Sequence, residues 1–250
     1  MRQFDLEVDP IDWRDYYYHY QKATLREQVD LRSVAGDVQS QRDLGSCTAQ
    51  AIVAVYEIML RQQVPDKFQE LSPLFLYYNS RREEGTLNED AGAYLRSSMK
   101  ALLDYGICPE NDWPYNVDKF NIRPSDNAYR AAKRFKISQY KRLSNLNSIL
   151  DSISKDHPVV AGIMVYSGFD NITKENSTIP MPTDTDTEYG AHAIALVGYN
   201  LAERKLLAKN SFGASWGLGG YFWIPFDYLE QELTDAWIFD ILVTNTLVVS

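Results

Sequence analysis

Gln41–Leu60 reads QRDLGSCTAQAIVAVYEIML, a polar, glycine-bearing loop that ends on a cysteine and runs into a long apolar stretch. From Ala49 to Leu60 almost every residue is apolar, the pattern of a helix buried on all sides. Cys47 therefore stands at a helix start, where backbone N–H groups lack intrahelical partners and the helix dipole is positive. A thiolate is stabilised there. An intracellular free cysteine is more commonly a small buried hydrophobe, and the loop alone leaves both readings open.

The chain after this helix continues in helices. Ser72-Pro73 is an N-cap followed by proline at the first helical position, opening PLFLYYNSRREE, which stops at Gly85. GAYLRSSMKALLDY, residues 92–105, fits another helix closed by Gly106. SNLNSILDSISK is a further one, with Ser144 as its expected cap. Beyond it the pattern changes. Pro158–Val165, His192–Tyr199, Lys205–Lys209, Tyr221–Ile224 and Ala236–Val243 are short β-branched or aromatic runs separated by Gly, Asn and Pro, which predicts strands. Helices followed by strands imply an α+β protein with a helical lobe and a β lobe.

Ahead of the loop, residues 1–26 form an acidic, aromatic arm containing Trp13, Tyr16, Tyr17, Tyr18 and Tyr20. So many aromatic side chains are unusual in a disordered tail, and the arm is expected to dock on a surface. The net charge of −9 excludes broad binding to nucleic acid or anionic membranes. One basic cluster, Arg130, Lys133, Arg134, Lys136, Lys141 and Arg142, reads as a solvated helix-to-strand face. Two cysteines, Cys47 and Cys108, make no disulfide framework and are expected as free thiols. Neither a signal peptide nor a membrane span is encoded in these residues, and so few cysteines suggest a cytoplasmic protein or one secreted without a leader. Paired ligand spacings are missing among two cysteines and three histidines, so neither a metal nor a cofactor is expected.

Only His19, His157 and His192 offer an imidazole. His19 lies in the arm and His157 precedes a proline. His192 opens a predicted strand, where a side chain projects from the sheet end into a cleft. Asn210 ends the strand KLLAK and begins NSFGASWGLGGY, a glycine-rich turn with two aromatics. An amide there can accept a hydrogen bond from an imidazole and aim its other nitrogen at a thiol. Cys47, His192 and Asn210, drawn from both lobes, supply nucleophile, base and orienter for acyl transfer. The backbone N–H of Cys47 and the amide of Gln41, six residues upstream, are candidate oxyanion donors.

These segments together resemble the papain family of cysteine peptidases. Gln41-Arg42-Asp43-Leu44-Gly45-Ser46-Cys47, the histidine strand from Gly190 to Tyr199, and the asparagine turn from Lys209 to Gly217 with Gly219-Gly220-Tyr221 carry the likeness, and Val29-Asp30-Leu31-Arg32 resembles the start of a mature domain. The resemblance covers roughly residues 27–245. It implies a metal-independent, monomeric endopeptidase acting on protein or peptide substrates through Cys47, His192, Asn210 and Gln41. By the same resemblance Asp90-Ala91-Gly92-Ala93-Tyr94 is the wall that pairs with substrate backbone. Leu95, Gly162, Gly190 and Ala191 would line a small apolar pocket, and Trp216 would stand on the leaving-group side. It divides the chain into the arm and a peptidase domain of residues 27–250, with a helical lobe to about 135 and a β lobe from about 136. Thr48, Phe212 and Ala93 depart from the family pattern without removing a catalytic group. Leu44 and Asp90 stand where paired cysteines are usual. At about 26 residues the arm is shorter than the usual folded prodomain, and it is expected against the cleft or its rim, limiting access. A thiol acyltransferase of transglutaminase type and a catalytically silent peptide-binding module are the alternative readings.

Overall fold

The structure, a computed structural model, describes residues 4–20 and 24–243. Parts of the arm (1–3 and 21–23) and the end of the expected peptidase domain (244–250) lie outside the described residues. In chain order the elements are β1 (Leu6–Glu7), β2 (Gln28–Asp30), α1 (Cys47–Gln63), α2 (Pro73–Glu84), β3 (Ala93–Tyr94), α3 (Leu95–Tyr105), α4 (Asp126–Ala132), β4 (Phe135–Arg142), α5 (Leu146–Ser154), β5 (Val159–Tyr166), β6 (Glu188–Asn200), β7 (Lys205–Lys209), β8 (Tyr221–Pro225), α6 (Phe226–Glu232) and β9 (Leu233–Val243).

The helix α1 is buried along most of its length, as its largely apolar sequence requires, and packs against α2, β5 and β6. Its polar interior residue Glu57 is accounted for: the carboxylate accepts the Leu71 N–H at 2.9 Å. In α2, the Ser72 hydroxyl accepts the Phe75 N–H at 3.1 Å, and Gly85 ends the helix at φ 78°.

The sheet runs β3-β1-β6-β5-β9-β4, with β2 and β7 also pairing with β6, and β8 with β7. The long strand β6 is its centre, buried from Ala191 to Tyr199, which is why HAIALVGY carries no polar alternation. On β6, His192 pairs with Ile163 of β5. The neighbour of β6 on the other side is the arm itself. Leu6 pairs antiparallel with Ala191 and parallel with Ala93, so β1 bridges the main sheet to the segment ahead of α3.

Several boundaries differ from the sequence expectation. The helix expected from Gly92 begins at Leu95, because Gly92 sits at φ 74° and Ala93–Tyr94 pair with the arm instead. The cap of α5 is Asn145, not Ser144. Asn145 Oδ1 accepts the Ser148 N–H and the Ser148 hydroxyl oxygen accepts the Asn145 N–H in return, a reciprocal box that Ser144 does not make. Within the basic cluster Arg130, Lys133 and Arg134 are exposed as expected, but Arg142 on β4 is turned inward and buried among carboxylates. Among the described residues no helix is long and apolar enough to cross a membrane.

Candidate active site

Cys47 is the first residue of α1 and is completely buried. The backbone N–H of Ala193, next to His192 on β6, hydrogen-bonds its thiol, so the helix start and the histidine strand meet here. His192 Nε2 lies 2.8 Å from Asn210 Oδ1. That oxygen can only accept, so Nε2 carries the proton and Nδ1 the lone pair. The same oxygen also accepts the Ser211 N–H at 2.8 Å, which fixes the amide's orientation. Phe212 stacks on the His192 ring, with centroids 5.1 Å apart and planes at 29°, and Trp216 meets Phe212 edge-on at 5.5 Å.

The loop ahead of Cys47 is held from several sides. The side chain of Gln41 is buried, its Oε1 accepting from the Ser211 hydroxyl at 2.5 Å and its Nε2 donating to the Leu44 carbonyl at 3.0 Å. Tyr115 Oη donates to the Gln41 carbonyl at 2.9 Å and lies 2.6 Å from the Ser46 hydroxyl. Asp90 accepts the Gly45 N–H with both oxygens and the Tyr77 hydroxyl at 2.5 Å. Asp90 and the loop of Leu44 are thus joined by hydrogen bonds at positions where the papain pattern has a disulfide; both cysteines of this chain are free and buried. Ser211 follows Asn210 directly, but nothing local in the sequence marks Tyr115 or Asp90 as supports.

The arm fills the groove beside these residues. Phe4 lies edge-on to His192 at 5.5 Å and stacks on Tyr189 at 5.6 Å. Its carbonyl would be 2.7 Å from a Cβ at Gly190, and the Asp5 carbonyl 1.6 Å from one at Gly92, so both positions require glycine. Leu6 Cδ2 occupies the space above Gly162, 2.5 Å from a Cβ there, with Thr234 Oγ1 and Leu95 Cδ1 closing the same slot. Gly92, Ala93, Gly162, Gly190 and Ala191 are therefore all approached by residues 4–6, and Leu95 lines the same slot at Gly162. Trp216 is reached through Phe212 and Phe169. Thr234, in this slot, was not anticipated. His157 stands apart, its Nε2 at 3.0 Å from the Phe239 carbonyl, and His19 is exposed.

Closure shapes the electrostatics. Burial pushes the Cys47 thiol up to about 12, with the Asp5 charge adding to it against the N–H groups of Ala193, Thr48 and Cys47 itself. The thiol is therefore protonated at neutral pH in this arrangement. Burial also raises Asp235 from 3.8 to about 7, the Asp9 charge adding to it against the Asp9 N–H and Arg142. Glu84 and Glu110 are likewise raised to about 7, first by burial. A carboxyl raised in the fold favours folding while it stays protonated, and that contribution fades as pH climbs from its unfolded value to its folded one. The thermal midpoint is therefore expected to fall as pH rises from about 4 to about 7 and to level off above, and Asp235→Asn to flatten the slope. A midpoint that rises over that window contradicts these assignments. Among the described residues no group of three or more His, Cys, Asp or Glu is placed to hold a metal ion.

Comparison with known proteins gives the family. Residues 25–233 match the family model for papain family cysteine proteases. An uncharacterised peptidase C1-like protein of Acanthamoeba polyphaga mimivirus is 35% identical over 228 residues, covering 86% of this chain and 72% of that one. Chymopapain of Carica papaya is 26% identical over 222 residues, 86% of this chain but 58% of its own length. Among solved structures, xylellain, a cysteine protease from Xylella fastidiosa, superposes with a TM-score of 0.88 at 32% identity, covering 96% of this chain and 97% of its own. With a papain-type α+β fold, a cysteine at the start of its buried helix and a match across most of its length, the chain belongs to the papain family of cysteine proteases.

Proposed function

We propose that the chain is a cysteine endopeptidase working through Cys47, His192 and Asn210, and that its N-terminal arm restrains it by occupying the substrate groove. The 2.8 Å contact between His192 Nε2 and Asn210 Oδ1, beside a thiol hydrogen-bonded by Ala193, is the observation that carries the catalytic part. His192 Nδ1 takes the Cys47 proton, the thiolate attacks the scissile carbonyl carbon, and the electron pair moves onto its oxygen. Collapse of the tetrahedral adduct breaks the C–N bond, and His192 returns the proton to the leaving amine. Water, deprotonated by His192, then hydrolyses the thioester and restores the thiol. The arm itself runs from Phe4 against Phe212 to Asp9 beside Asp235.

The oxyanion is assigned to the Cys47 N–H and the Gln41 Nε2, whose side chain Ser211 holds in place. Gln41→Ala is expected to lower kcat by about 10²–10³-fold with a small change in KM. Steady-state hydrolysis of a fluorogenic peptide tests this, and a variant that keeps full kcat removes Gln41 from the mechanism. The restraint rests on the overlap between the arm and the expected substrate wall. Product analysis with added amine separates hydrolysis from acyl transfer, and active-site titration separates an enzyme from a silent binding module.

A further inference from the structure

Beyond Leu6 the arm does not leave the surface. Asp9 Oδ2 accepts the Arg96 N–H at 2.9 Å in the first turn of α3, and its own N–H donates to Asp235 Oδ2 at 3.0 Å. Asp15 is gripped harder. Arg96 holds it with two parallel bonds, Nε to Oδ1 at 2.9 Å and Nη2 to Oδ2 at 2.8 Å, while Arg142 Nη1 reaches Oδ2 at 3.2 Å. The Asp15 side chain is 5% exposed, and those of Arg96 and Arg142 are 20% and 11% exposed. Both guanidinium groups stand over the Trp237 ring, 5.7 and 5.4 Å from its centroid, and Arg142 also pairs with Asp235. Backbone bonds follow on either side, from Arg142 N to the Tyr16 carbonyl and from Tyr18 N to the Arg142 carbonyl, both 2.8 Å.

We propose that Arg96 and Arg142, steadied on Trp237, form a carboxylate-binding site that takes Asp15 and thereby latches the arm over the groove. The proposal rests on the reading of the arm as a plug. The two arginines come from different parts of the fold, α3 and the edge strand β4, so the carboxylate also ties the helical segment to the sheet. A forked guanidinium matches a planar carboxylate in geometry as well as charge. The neutral amide of asparagine keeps the shape and loses the charge. Neither arginine touches Cys47, His192 or Asn210 through any bond described above, so the latch acts on access and not on the chemical step.

The test compares full-length chains by the second-order rate at which an uncharged epoxide of the E-64 type alkylates Cys47, and by thermal midpoint. Asp15→Asn is expected to react at least about tenfold faster, because one partner of a buried, hydrogen-bonded charge pair is lost. Asp15→Glu is expected to stay within about twofold, and Asp15→Asn combined with Arg96→Gln to react no faster than Arg96→Gln alone, since paired residues are non-additive. If Asp15→Asn does not fold, Arg96→Lys serves in its place, keeping the charge but not the fork, and the same acceleration is expected. Leu6→Asp, which opens the groove by other means, is the reference. Acceleration by Leu6→Asp without acceleration by Asp15→Asn overturns the latch and leaves the plug standing. No acceleration by either overturns both. Additive rates in the double variant overturn the pairing of Asp15 with Arg96.

Discussion

A full-length chain carrying Cys47→Ala is expected to lose hydrolysis of a fluorogenic peptide by about 10⁴-fold or more, while its thermal midpoint changes little. Removing a nucleophile removes the acyl-enzyme route entirely, and effects of that size are characteristic of residues that act as a unit. The fold should tolerate the change. Cys47 is a small side chain at the first position of α1, where the hydrogen bonds of the helix do not depend on it, and alanine keeps its Cβ. Cys108 provides the internal comparison: it is buried with Phe75, Ala128 and Ala132 in a separate cluster, and burial pushes its thiol up to about 12. Cys108→Ala should leave turnover unchanged. Retained turnover in Cys47→Ala would place the chemistry elsewhere.

Leu6→Asp is expected to raise kcat/KM of the full-length chain by about tenfold or more. Leu6 is 5% exposed and fills a slot closed by Leu95, Gly162 and Thr234, with the Thr234 hydroxyl as a polar neighbour. Burying a carboxylate there without a charged partner costs several kcal/mol, and each 1.4 kcal/mol, about RT ln 10, shifts the closed-to-open ratio about tenfold. An intramolecular plug scales apparent affinity by the fraction of open molecules. The gain should therefore appear mainly as a lower KM, with kcat approaching that of an unobstructed groove. The Cys47 thiol should titrate lower at the same time, because burial is the largest cause of its raised value and Asp5 leaves with the arm. Leu6→Met, similar in volume, should stay near wild type.

How much of this was legible depends on how local each feature is. The burial of α1, the cap at Ser72, the stop at Gly85 and the strands from Pro158 onward are written in neighbouring residues and were read correctly to within a few positions. The contact of His192 with Asn210 was legible in part, for a different reason: Asn210 stands just past the end of β7, but His192 lies inside β6 and not at the strand opening expected of it. Features decided by distant partners were not. Strand β4 carries a register irregularity between Ile137 and Gln139, and its partner β9 lies about a hundred residues away, so its basic side chains looked like a solvated face. The inward turn of Arg142 depends on Asp15 and Asp235, one from each end of the chain. The arm was expected to dock, but its aromatics misled as to how. Trp13 and Tyr16 are 90% and 78% exposed, and the attachment runs instead through Phe4, Leu6, Asp9, Asp15 and the Tyr18 hydroxyl on Asp151. Two paired residues of β1 carry too little pattern to announce a strand.

The central claim is that a competent thiol lies beneath the arm. Its most direct measurement is the rate and site of covalent labelling by an epoxide inhibitor, read by mass spectrometry on the full-length wild type, Leu6→Asp and Cys47→Ala. The expected result is one label per chain, on Cys47 alone, formed at least about tenfold faster in Leu6→Asp than in the wild type and not at all in Cys47→Ala. Equal rates in the first two chains, or a label that persists in Cys47→Ala, would contradict it.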